Sequence, residues 1–205
     1  MSFRLNPVSL PHGDHQDATD EFVFTSFPEF AITRIIDTGQ NRRSPLGNYH
    51  RSNLDIFIQD GSDGGYEYVD LTGIAVSFNK HDPHPGVQEK TASHLHMGLE
   101  PLSRARFRLH DTKVRTKTIF QKFKTRIWFP VEIEDASGLT IKIERSKEGY
   151  VERVVHPGGL TLEFQNTSMS TRLGFDLIGQ EGTRLAMMRY RYDDQARLII
   201  IAIAH

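Results

Sequence analysis

From Phe22 onward, apolar and polar positions alternate with a period of two. Leu54, Ile56 and Ile58 alternate with Asp55, Phe57 and Gln59, and further runs cover 66–71 and 74–78. Residues 60–65 include three glycines and predict a hairpin loop between two of these runs. In the second half the runs 127–134, 139–144, 150–155, 159–164, 173–178, 184–191 and 198–204 recur at short intervals. Turn chemistry separates most of them: Ala136-Ser137-Gly138, His156-Pro157-Gly158-Gly159, Gly179-Gln180-Glu181-Gly182 and Asp193-Asp194. Leu139, Ile141 and Ile143 fall on one side of a strand, opposite Thr140, Lys142 and Glu144. Leu160, Leu162 and Phe164 do the same opposite Thr161, Glu163 and Gln165. Antiparallel strands with one wet face read this way. The run 198–203 is apolar on both faces and should be central or covered.

These patterns predict an all-β fold: an antiparallel meander of roughly ten to fourteen strands in a barrel or β-sandwich, with at most one or two short helices. Residues 1–20 lack periodicity and carry Pro7, Pro11 and Gly13, so they are expected to form an irregular N-terminal arm before a single β domain over 21–205. One stretch competes as a helix. Ala92, Leu95, Leu99 and Leu102 recur at intervals of three and four, after Pro83, Pro85 and Gly86, and Pro101 would end it. The chain shows no internal sequence repeat.

At 205 residues the chain is long enough to bury a core without disulfides or a structural metal. It contains no cysteine, which removes a disulfide framework, a thiol nucleophile and any thiolate metal site. The first thirty residues are polar and acidic and carry no apolar stretch of signal-peptide kind. The longest apolar run, 198–204, is far shorter than the roughly twenty residues of a spanning helix. A soluble, cytoplasmic protein without a membrane span is the expectation.

Formal net charge is only −1, but residues 104–126 hold nine basic residues and one acidic residue. Within this segment Arg104, Arg106, Arg108 and His110 alternate with Ala105, Phe107 and Leu109. On a strand the three guanidinium groups would share one face, about 6.6 Å apart. Guanidinium forks suit phosphate and carboxylate oxygens. Lys113, Arg115 and Lys117 continue the run, followed by Lys122, Lys124 and Arg126, with Phe120, Phe123 and Trp128 interleaved. Cations beside exposed aromatics are the ingredients of single-stranded nucleic-acid platforms. The alternative is a solvated face whose arginines pair with carboxylates on adjacent strands, the aromatics belonging to the core.

Four histidines, His81, His84, His94 and His96, fall close together, and His94-x-His96-x₃-Glu100 would project from one face of a strand. With Pro157-Gly158-Gly159 and the more distant Asn166, this spacing resembles the two motifs of the cupin superfamily of small β-barrels. The resemblance implies a divalent transition metal on His94, His96 and Glu100. Leu162 stands where the family has its fourth ligand, a histidine. Were residues 87–100 helical, His94 and His96 would lie on nearly opposite sides and share no metal. Phosphate-loop, dinucleotide and nucleophile-elbow motifs are absent.

The leading expectation is a non-catalytic binding or assembly module. Its segment 104–126 would contact an anionic partner: a nucleic acid, a phosphorylated ligand or an acidic protein surface. Arg104, Arg106 and Arg108 would be the main contacts, with Lys113, Arg115 and Lys117 secondary. The alternatives are a cupin-like metal enzyme, or a metal-free barrel cyclase, isomerase or carrier with an apolar pocket.

Overall fold

A computed structural model describes residues 3–5, 16–26, 28–37, 43–62, 64–79, 96–124, 126–167 and 171–204. The strands are β1 (Phe3–Leu5), β2 (Gln16–Phe24), β3 (Phe30–Asp37), β4 (Arg43–Ser44), β5 (Gly47–Asn48), β6 (His50–Ser52), β7 (Phe57–Asp60), β8 (Tyr66–Val69), β9 (Ala75–Phe78) and β10 (Met97–Ser103). They continue with β11 (Arg106–Asp111), β12 (Thr116–Lys124), β13 (Ile127–Glu134), β14 (Thr140–Arg145), β15 (Val151–Val155), β16 (Thr161–Asn166), β17 (Arg172–Ile178), β18 (Arg184–Tyr192) and β19 (Leu198–Ala204). The one helical element among the described residues is a 3₁₀ turn, Asn53–Asp55, capped by the Ser52 hydroxyl. The all-β expectation holds. No described helix is long and apolar enough to cross a membrane.

Strands β10 to β19 form an antiparallel meander in chain order, and β7, β8 and β9 join it through β13. The order is open, with β10 and β19 at its ends, so the sheet does not close into a barrel. A second sheet, β1-β2-β3-β6, is separate. β13 is the branch point. β12 pairs along its length, whereas Ile127 and Trp128 pair with β7 and Glu132 to Glu134 pair with β14.

The stretch that competes as a helix is strand over residues 97–102, with Pro101 within it. Among the described residues β10 pairs with β11 alone, so the missing proline N–H breaks no described ladder. Within the expected irregular arm, residues 3–5 and 16–20 are strand, since β2 begins at Gln16 and pairs with β3 from Asp37 backward. Long-range pairing, rather than local alternation, makes this acid-rich segment a strand.

Among the described residues, seven hairpins close in one way. The N–H of the first turn residue donates to the C=O of the fifth, the N–H of the fourth donates back to the C=O of the first, and the fourth has positive φ. They begin at Gly61, Asp70, Asp135, Ser146, His156, Gly179 and Asp193. This is a type I turn followed by a left-handed residue, the bulged three-residue hairpin loop. Side chains at the first position reinforce it: Asp135 Oδ1 accepts from Ser137 and Leu139 N–H, and Asp193 Oδ1 from Gln195 and Arg197 N–H. The fourth residue is glycine in six of the seven and Ala196 (φ 57°) in the last.

The strands bury two cores. One joins Phe22, Phe24 and Ile32 of the four-stranded sheet to Ile141, Leu162, Phe175, Leu177 and Met188 of the meander. The other joins Ile58, Tyr68, Val76 and Phe78 to Phe107, Leu109, Phe120 and Trp128.

A buried polar chain holds the four-stranded sheet on the first core. Arg34 Nε donates to Glu21 Oε1 at 2.7 Å, and Tyr190 Oη donates to Glu21 Oε2 at 2.7 Å. Arg34 Nη1 lies 3.1 Å from His50 Nδ1. Glu21, Arg34, His50 and Tyr190 are all buried. Removing one member strands the other charge in a dry interior, at a typical cost of about 3–5 kcal/mol, whereas replacing both by apolar groups is commonly near neutral. Arg34→Met should therefore lower the urea midpoint sharply, and Glu21→Leu combined with Arg34→Met should recover most of that loss. Equal midpoints for the two variants would contradict this account. Ala196→Gly, relieving a left-handed alanine, should raise stability by up to about 1 kcal/mol in the same assay.

Candidate functional site

Folding divides the basic segment. β11 begins at Arg106, so Arg104 lies in the β10–β11 turn and not on the strand ladder, a correction to the expected four-residue face. Arg106, Arg108 and His110 do share a face, opposite Gln121, Ile119 and Lys117 of β12. The middle of that face is neutralised: Arg108 Nη1 and His110 Nε2 lie 3.0 and 3.2 Å from Glu100 Oε2, and Lys117 Nζ lies 2.6 Å from Glu134 Oε1. The hydrogen bond from His110, then Arg108, holds the Glu100 carboxyl below its ordinary range.

The remaining cations collect at the two ends of the strands. The β10–β11 and β12–β13 turns lie at the same end, where Lys122 N–H donates to the Ala105 carbonyl at 2.8 Å. Arg104, Arg106, Lys122, Lys124 and Arg126 are exposed there. Their described contacts are weak or uncharged: Arg106 to the Gln121 amide, Lys122 over the Trp128 ring at 4.8 Å, Lys124 over the Tyr150 ring at 5.8 Å, and Arg126 to Asp60 at 3.8 Å. Lys113 and Arg115 occupy the β11–β12 turn at the opposite end, about 20 Å away over six residues of β11. Of the interleaved aromatics, Phe120 and Trp128 are buried in the second core, whereas Phe123 is half-buried with its ring 6.3 Å from that of Phe129.

Of the cupin-type trio, His94 lies outside the described residues, as do His81 and His84. His96 lies just before β10, with its Nε2 3.6 Å from Asp111 Oδ2, and Glu100 is engaged by Arg108 and His110. Leu162, at the fourth-ligand position of the resemblance, is fully buried in the first core. Among the described residues no three His, Asp or Glu side chains converge as a metal site would require.

One feature escapes local sequence reading: a cavity of about 440 Å³ where the 3₁₀ turn, β7, the β8–β9 turn and the ends of β12 and β13 meet the β14–β15 turn. Phe57, Ile127, Phe129 and Tyr150 form its apolar walls, and Arg51, Lys124, Arg145, Asp55, Asp70 and Glu148 supply charge. Arg145 is structural, donating to the carbonyls of Pro130, Gly149 and Leu54, and burial lowers its guanidinium to about 9. Gly149 is required at the contact, since a Cβ there would come within 3.0 Å of the Phe129 ring.

The buried Glu21–Arg34–His50–Tyr190 chain is separate from that cavity's lining. Burial, then the Arg34 charge, lowers the His50 imidazole to about 4. No known family's sequence profile matches the chain, and a search of curated proteins finds no match.

A histidine that is neutral when folded but titrates near 6.5 when unfolded favours the folded state only while both forms are neutral. The stabilisation is therefore fully present above about pH 6.5 and is lost as pH falls toward 4, with a size of roughly 3 kcal/mol. Urea unfolding from pH 7.5 to 4 should show a steeper loss of stability in the wild type than in His50→Gln. Parallel profiles would refute the assignment.

Proposed function

We propose that this chain is a non-catalytic binding module that contacts a phosphate-bearing polyanion, a nucleic-acid backbone, through the sheet end formed by the β10–β11 and β12–β13 turns. The observation that carries this reading is the gathering of Arg104, Arg106, Lys122, Lys124 and Arg126 at that end, of which Arg126 alone has a described carboxylate partner, Asp60 at 3.8 Å. Exposed cations held only by weak or uncharged contacts retain most of their attraction for a polyanion, whereas Arg108 and Lys117 have theirs spent on Glu100 and Glu134. Burial of Phe120 and Trp128 favours recognition of charge over recognition of bases. The absence of cysteine fits action in a reducing compartment such as the cytoplasm. The metal-enzyme alternative has less support, since Glu100 already serves two partners.

The test is binding of an oligo(dT) strand at rising salt. Five phosphate contacts predict a log–log slope of about −3.5, and each lost contact reduces its magnitude by about 0.7. Arg104→Gln and Lys122→Gln should each reduce the slope, while Lys113→Gln and Arg115→Gln, at the far end, should not. Absent binding at low salt, or equal effects at both ends, would remove the proposal. Preference for poly-glutamate over DNA would instead assign an acidic protein partner.

A further inference from the structure

The cavity at the junction of the strand systems has the size and composition of a small-molecule site, because ligand pockets of about 300–1,000 Å³ combine apolar walls with a few charged groups. Its charges are unequal in availability. Arg145 is committed to three backbone carbonyls, and Asp55 is paired at 3.1 Å with Arg172, which stands behind the wall. Asp70 Oδ1 closes its own hairpin, accepting from the Thr72 hydroxyl and the Ile74 N–H. Glu148 is exposed at the edge. Lys124 remains, with the Tyr150 ring as its described partner at 5.8 Å. Arg51 lies with its guanidinium against Gly73, and the lining balances three cations against three carboxylates.

We propose that this cavity binds a small monoanion with a flat apolar body, an aromatic carboxylate, whose charged group meets Lys124 Nζ while its ring lies among Phe57, Ile127, Phe129 and Tyr150. One weakly held ammonium in a charge-balanced lining suits a single carboxylate rather than a dianion. The Lys124 ammonium, attached near aromatic walls and only weakly held by the Tyr150 ring, gains a charge-assisted hydrogen bond when the carboxylate arrives. The walls are apolar or aromatic and hold a ring by burial. This site shares Lys124 with the polyanion contact, and its other lining residues are separate from that contact.

The experiment is isothermal titration of the whole chain with 1-naphthoate and, separately, with uncharged 1-naphthalenemethanol. The expected result is saturable one-to-one binding of the carboxylate, with the alcohol weaker by about tenfold or more, the worth of one charge-assisted contact. Lys124→Gln should weaken the carboxylate by a similar factor and leave the alcohol unchanged. Leu71→Trp, which fills the cavity from one wall, should abolish both, and Arg115→Gln should alter neither. Failure of the wild type to bind 1-naphthoate saturably overturns the proposal, as does an unchanged affinity in Lys124→Gln. Because Lys124 is exposed, that variant remains decisive should Leu71→Trp fail to fold. A chain that binds naphthoate but no oligo(dT) would keep this site and lose the polyanion reading; the reverse result would do the opposite.

Discussion

The contact between the four-stranded sheet and the meander turns on a buried charge that must stay paired. Arg34 and Glu21 are nearly inaccessible to solvent, on neighbouring strands of the smaller sheet, and Tyr190 reaches Glu21 from the larger one. An ionised pair in such surroundings loses its hydration and recovers it only through correct geometry, so it tolerates few alternative arrangements. Sliding β2 past β3 by one residue would turn Glu21 to the other face and leave Arg34 buried alone. The pair thus acts chiefly on register. The Phe22, Phe24 and Ile32 cluster supplies much of the burial energy but would accept several packings. His156 adds a second tie across the layers, with its Nε2 2.9 Å from the Pro28 carbonyl, and Asn48 adds a third through the Ala196 carbonyl.

A second constraint is the partner change along β13. A strand that pairs with β7 at its beginning and β14 at its end must belong to two layers at once. Its side chains follow: Trp128 fills the second core, while Ile133 packs against the first. Between the halves, the edges of β7 and β14 diverge, and the gap is bridged by Arg145 reaching three carbonyls. A long buried guanidinium can span such a gap where an apolar side chain would leave carbonyls unpaired. The cavity lies beside this bridge. It is a consequence of the branch, and its walls come from chain segments that no local pattern connects.

Strand content was legible because each element carries its own periodicity and most turns announce themselves. Ile141 and Ile143 are buried as their alternation requires, and the Asp135 and His156 turns fall at Ala136-Ser137-Gly138 and Pro157-Gly158-Gly159. Leu139 departs from its expected inward face because it is the last turn residue and is 39% exposed. β2 was illegible for the opposite reason. Asp17, Asp20 and Glu21 make it read as a polar arm, and only a partner thirteen residues away turns Glu21 into a core residue. The absence of a sequence repeat likewise hid a recurrence of geometry: Asp, Ser and His all close the same hairpin, since each offers a short acceptor to the following amides.

The basic segment shows why charge density along a chain is a poor measure of charge density in space. In a meander, residues six to nine apart can lie at opposite ends of a sheet, whereas residues from separate turns meet. Arg104 and Lys122, eighteen positions apart in number, become neighbours because β11 and β12 fold back on one another. Arg108 and Arg115, closer in sequence, are carried to different environments. Position also decides partnership. A side chain in mid-strand has cross-strand neighbours at fixed short range, so a cation there meets a carboxylate on the adjacent strand when the sequence supplies one, as Glu100 and Glu134 do. A side chain in a turn has neighbours on fewer sides and keeps its charge for the solvent or for a ligand. The chemistry available to this surface is therefore set by where the hairpins close.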